Sequence, residues 1–123
     1  MTFLKNGFYL LFACSILVLT SCGDDDCTAP IIDENIVGSW EESFSGDIVE
    51  FKADGTLIDE NQALLGVGDE STSTYVIVGN TVSITAVEVG GGSSVSVDYS
   101  VESNECDEIK LGVLGFTSTL SRQ

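Results

Sequence analysis

Ser94-Val95-Ser96-Val97-Asp98-Tyr99-Ser100-Val101 sets Val95, Val97, Tyr99 and Val101 against Ser94, Ser96, Asp98 and Ser100 in strict alternation. Successive side chains of an extended chain point to opposite faces, so this run predicts a strand with one buried and one wet face. Thr81 to Val87 repeats the pattern, with Val82, Ile84 and Ala86 alternating with Thr81, Ser83 and Thr85. Phe116, Ser118 and Leu120 repeat it less cleanly.

Working outward, turn signals separate runs rich in β-branched and aromatic residues. Asp54-Gly55 divides Ile48–Lys52 from Thr56–Asp59, and Gly79-Asn80 divides Tyr75–Val78 from Thr81–Val87. Gly90-Gly91-Gly92 precedes the Ser94 strand, Ser103-Asn104-Glu105 follows it, and Gly115 parts Ile109–Val113 from Phe116–Ser121. Each offers the positive φ or local side-chain bonding that a hairpin needs. With Ser39–Phe44 the count is eight strands on mostly short links. The fold class is therefore all-β, a small antiparallel up-and-down barrel whose closure removes exposed edges.

The chain has 123 residues, enough for one domain, and no histidine. That removes the commonest general base near neutral pH and the commonest metal ligand. Carboxylates are so abundant that pairs such as Glu41 and Glu50 on neighbouring strands are inevitable and carry no catalytic signal. Serines lack a Gly-x-Ser-x-Gly elbow, and Asp24–Asp26 lacks the spacing and glycine of an EF-hand loop. The chain is read as a non-enzyme with no cofactor and no metal. Its net charge of −16 repels phosphate backbones and anionic headgroups, so nucleic acid is not an expected partner.

Residues Gly7 to Leu19 form an apolar run behind Lys5, too short to span a bilayer core of about 30 Å. It fits the h-region of a signal peptide. It ends in Leu19-Thr20-Ser21-Cys22, which resembles the lipobox of bacterial lipoproteins. The resemblance implies removal of residues 1–21, a thioether-linked diacylglycerol on Cys22 and acylation of the new amino terminus. Several acyl chains, at about 0.8 kcal/mol per methylene, make such anchoring durable. After cleavage three basic residues, Lys52, Lys110 and Arg122, face all 20 acidic ones, for a net −17. Gly23-Asp24-Asp25-Asp26 resembles the surface-export signal of Bacteroidota lipoproteins and implies outer-membrane attachment at the cell surface, with the periplasmic face as the alternative.

Cys14 leaves with the signal and Cys22 carries lipid, which leaves Cys27 and Cys106 in an oxidising compartment. A disulfide between them is expected, with two free thiols as the alternative. Two thiols without histidine fall short of a closed zinc set. Residues 22–35 read as the lipidated cysteine and an acidic linker, with a short turn at Asp33-Glu34-Asn35, and residues 36–123 as the barrel domain.

Ile36-Val37-Gly38-Ser39-Trp40 opens that domain. With the hairpins at Asp54-Gly55 and Gly79-Asn80 and the closing strand to Arg122, it resembles the small lipocalin-like domains of Bacteroidota lipoproteins, within the wider calycins. The resemblance implies that Trp40 packs across the barrel base, that Gly38 permits close backbone approach, and that the domain binds a small apolar molecule. Arg122 is placed to cover the Trp40 ring by a cation–π contact, with a solvated terminal arginine as the alternative. The chain is shorter than full lipocalins and lacks their later Asp and Arg motif.

Eight strands enclose a space that side chains fill or that holds one small ligand. Trp40, Phe51, Tyr75, Ile77, Ile84, Val97, Tyr99, Leu111, Phe116 and Leu120 are the candidates for filling it. Gln62-Ala63-Leu64-Leu65-Gly66-Val67-Gly68 is apolar and loop-like. Leu64, Leu65 and Val67 read either as a lip over the barrel mouth or partner-binding patch, or as an extension of the third strand or a loop folded onto the core. Two functional readings stay open: a membrane-anchored, lipocalin-like binding module for a small apolar ligand, or a solid-cored envelope protein that binds another protein or serves a structural role.

Overall fold

The computed structural model describes residues 27–67, 71–90 and 92–123. The expected signal segment, residues 1–21, and the expected lipidation site Cys22 lie outside the described residues. One short helix, α1 (Ile32–Asn35), precedes eight strands: β1 (Gly38–Glu42), β2 (Ile48–Phe51), β3 (Thr56–Ile58), β4 (Ser71–Val78), β5 (Thr81–Glu88), β6 (Ser94–Asn104), β7 (Glu108–Val113) and β8 (Phe116–Arg122). Each strand pairs antiparallel with the next, and β8 returns to β1, so the sheet closes as an up-and-down barrel.

The alternation behaves as the period of two requires. Val82, Ile84 and Ala86 of β5 and Tyr99 and Val101 of β6 point inward and are buried, while Ser83 and Asp98 bond to each other on the outer face. Trp40, Val49, Phe51, Leu57, Tyr75, Ile109, Leu111 and Leu120 complete the core. Phe51 meets Tyr75 edge to face, with centroids 5.0 Å apart, an arrangement that adds to the burial of both rings. β4 starts at Ser71, four residues before the apolar pattern begins at Tyr75, because its upper half alternates hydroxyls instead of apolar groups. Ser73 there is buried.

Three expectations change. Phe116 is 69 % exposed and fills no core. Its inward parity with Ser118 and Leu120 is correct, but β8 begins above the layer of packed side chains. Ile77 and Val97, for the related reason that they sit toward strand ends, are only half-buried and pack at the margin of the core. The expected turn at Asp33-Glu34-Asn35 is one turn of helix, and it is not spacer: Ile32 and Asn35 are buried, together with Ile36 just after them. Asp33 and Glu34 lie in the first turn, where negative charge meets the positive end of the peptide dipoles.

The register gives the barrel two distinct ends. The base holds α1, the β2–β3 turn, the β4–β5 turn and the β6–β7 connection. The mouth holds the β1–β2 and β3–β4 loops and the β5–β6 and β7–β8 hairpin tips.

Candidate functional site: a latched base and a plugged mouth

At the base, Trp40 and Arg122 stand directly opposite each other on β1 and β8. The guanidinium carbon lies 4.2 Å from the indole centroid, so the expected cation–π contact forms. Trp40 is fully buried, and its Nε1 donates to the Ile36 carbonyl at 2.7 Å, which satisfies the only polar atom of the ring. Arg122 donates through Nη2 to both the carbonyl and Oδ1 of Asn35, each at 2.8 Å, and through Nε to the Cys106 carbonyl at 2.9 Å. Gly38 has φ +136°, and a Cβ there would come 3.1 Å from Arg122 Nη1. The glycine therefore serves both the backbone conformation and the approach of the guanidinium.

Asn35 continues the network. Its Nδ2 donates to Asn104 Oδ1 at 2.7 Å and to the Glu105 carbonyl at 2.8 Å, and Asn104 Nδ2 donates to the Pro30 carbonyl at 2.8 Å. The Cys27–Cys106 disulfide forms beside it, with Cα atoms 6.2 Å apart. Gly38, Trp40, Arg122, Cys27 and Cys106, expected separately, thus lie at one end of the barrel. Asn35 and Asn104 join them, although the sequence marks each only as part of a turn.

At the mouth, residues 59–67 fold inward. The Asp59 carboxylate accepts from the backbone N–H groups of Ala63, Leu64 and Leu65, at 2.6, 2.9 and 3.0 Å. Tyr99 Oη, rising from the core, donates to the Leu64 carbonyl at 2.7 Å. Burial holds the Tyr99 hydroxyl above its ordinary pKa, helped by the Asp59 and Glu42 charges. Leu64 is buried, Leu65 is half-buried against the core, and Val67 is half-buried. The apolar loop is a plug over the barrel, not a free lip.

Beside the plug, Glu42 has 1 % of its surface exposed and, among the described residues, no ion-pair partner. Its Oε2 accepts from the N–H of Phe44 and of Ser45 and from Ser45 Oγ, at 3.0, 2.9 and 3.0 Å, and its Oε1 accepts from Ser118 Oγ. Burial raises the pKa of this carboxyl, but these hydrogen bonds to the ionised form outweigh it, and the net direction is down. Glu42 therefore fastens the β1–β2 loop to β8. Glu41 and Glu50, by contrast, stand on the outward face of β1 and β2 and form no enclosed pair.

Three clefts open on the surface, two of them against buried side chains, Tyr75 in one and Leu57 with Ser73 in the other. One borders the disulfide, one the β2–β3 turn against β4, and one, of about 250 Å³, the diverging ends of β3 and β4. No family model, curated protein or solved structure matches this chain. What its own geometry defines is a small closed antiparallel barrel, capped by a helix at one end and by a loop at the other.

Proposed function

We propose that this chain is a lipid-anchored, lipocalin-like envelope protein without catalytic activity, whose solid barrel acts by binding another protein. The carrying observation is that its own residues occupy both ends of the barrel: Ile32, Ile36 and Trp40 at the base, and Leu64 under the Asp59 and Tyr99 bonds at the mouth. A carrier of small apolar molecules would have to lift Leu64 out of the core and break the Tyr99–Leu64 bond before a ligand could enter. The Gly38, Trp40 and Arg122 arrangement supports the lipocalin-like reading.

Attachment follows from Cys22. Cys27 is bonded to Cys106 at the base and lies five residues from Cys22, a reach of at most about 17 Å. The base therefore faces the membrane and the mouth faces away. Asp24–Asp26 favours display at the cell surface, with the periplasmic leaflet as the alternative.

Native mass spectrometry of the lipoprotein extracted from its own host tests the reading. The expected species is the acylated chain from Cys22 onward with no retained small molecule. A stoichiometric apolar ligand would overturn the solid barrel and restore the carrier. Cys22→Ser is expected to abolish labelling by radioactive palmitate, and protease treatment of intact cells decides the leaflet.

A further inference from the structure

The barrel is closed, yet its wall is uneven. β6 has 11 residues and β7 has six. β7 pairs with β6 only as far as Gly112 opposite Ser100. Continuing that register, Asp98 stands opposite Leu114, which already belongs to the β7–β8 turn. The stretch Ser94–Asp98 is paired to β5 alone.

The direction of its free backbone groups follows from the ladder. Glu88 donates to the Ser93 carbonyl and Val101 to the Asn80 carbonyl, so these are hydrogen-bonded pairs in one register. In an antiparallel ladder such pairs alternate with non-bonded ones. Val95, Val97 and Tyr99 therefore bond to β5, and the N–H and C=O of Ser94, Ser96 and Asp98 point the other way, past the end of β7. A row of unpaired donors and acceptors templates another strand. Its flanks are apolar: Val95 is on the inward side, and Leu114 and Phe116 at the neighbouring tip are exposed, Leu114 at 92 %.

We propose that Ser94–Asp98 of β6 is a strand-addition site for an extended segment of a partner protein that alternates apolar and basic residues. The apolar side chains continue the inward face beside Val95, Val97 and Phe116, and the basic ones meet the outer face, which carries the exposed Asp98 on a strongly acidic chain. Charge selects the partner. Among the described residues no cation is placed at this rim: Lys52 flanks a base turn, Arg122 lies over Trp40, and Lys110 sits lower on β7 within 3.7 Å of Glu108. Pairing of two copies edge to edge would bring two chains of net −16 or more together, which disfavours self-association. The site deepens the protein-binding reading above and rests on it, and it lies at the end turned away from the anchor.

Hydrogen exchange of the full-length lipoprotein in detergent micelles, with a capped peptide of alternating valine and lysine as probe, tests this. The peptide is expected to slow exchange at Ser94, Ser96 and Asp98 by about tenfold or more and to leave the base amides unchanged. A peptide with glutamate in place of lysine is expected to do nothing. Ser96→Pro removes the central donor and abolishes the protection. Should that variant fail to fold, a probe N-methylated at alternate amides must fail in the same way. Protection elsewhere, no protection, or concentration-dependent protection of the same amides without peptide and with doubled mass would overturn the proposal. A retained small molecule in the mass measurement would sink the solid-barrel reading without moving these amides, so the two failures are distinguishable.

Discussion

At the base of the barrel a guanidinium, an indole, two asparagines and a disulfide hold α1 against β1, β6 and β8. At the mouth two carboxylates, Glu42 and Asp59, gather backbone N–H groups and hydroxyls, and a single tyrosine hydroxyl ties the plug to the core. The base is cross-linked between residues far apart in sequence: Asn35 with Asn104, Arg122 with Asn35, Cys27 with Cys106. At the mouth the β1–β2 loop is tied to β8 through Ser118 with Glu42 and Ser43 with Thr119. The plug, however, is held mainly by Asp59 to Ala63, Leu64 and Leu65, six residues apart or closer, with Tyr99 to Leu64 and Asn61 to Asp47 as its longer links. Long-range links let go only when the barrel does, whereas local ones can open by themselves. The same fold thus has a rigid base and, at the other end, a plug that is separately adjustable.

The sharpest way to break this contrast is to empty the base. Trp40→Ala removes a fully buried ring, its bond to Ile36 and the seat of Arg122, and is expected to cost about 4–5 kcal/mol, read from chemical denaturation. A loss of less than about 1 kcal/mol would mean that the base is not where stability resides. Removing the disulfide as the Cys27→Ser, Cys106→Ser pair frees a closed loop with a sequence separation of 79. The chain-entropy estimate for such a loop is about 4 kcal/mol. Both losses are expected in global unfolding, with no change confined to one end.

Much of the base could be read from the sequence. Trp40 and Arg122 share inward parity on the first and last strands, and barrel closure makes those strands neighbours, so their meeting follows from periodicity plus topology. Cys27 and Cys106 were legible from cysteine arithmetic. Asn35 and Asn104 were not, because a polar side chain shows no period and their partners lie about 70 residues away. At the mouth a signal was present and unused. Glu42 shares parity with Trp40, and Asp59 with Leu57, so each is a carboxylate at an inward position, which calls for satisfied hydrogen bonds. Phe116 shows the converse limit: parity assigns a face, but not the height at which packing ends.

Glu42 offers a proton-linked test of the mouth. Its carboxyl pKa is lowered in the folded state, so its contribution is present above the ordinary value near 4.5 and is lost as pH falls through the folded value. Glu42→Gln keeps the size but loses two acceptor sites, and is expected to cost about 2 kcal/mol at neutral pH. The gap between wild type and variant should shrink as acidification carries the protein below the ordinary carboxyl value and through the lowered folded one, because protonated Glu42 also loses its acceptor capacity. Relief of the large negative charge affects both proteins alike and cancels in the difference. A gap independent of pH would remove the ionised carboxylate from the account.

The smallest expected effect bears most directly on local opening at the mouth. Tyr99→Phe keeps the ring in the core and deletes only the bond to the Leu64 carbonyl. Global stability should fall by about 1 kcal/mol. If the plug is a local unit, exchange at Ala63, Leu64 and Leu65 should speed up by about fivefold to tenfold, while Ile36, bonded to Ile32 at the base, keeps its wild-type rate under native conditions. If the base amides accelerate by the same factor, plug and barrel open together. The two ends would then be one cooperative structure, and the distinction drawn from their hydrogen bonds would fail.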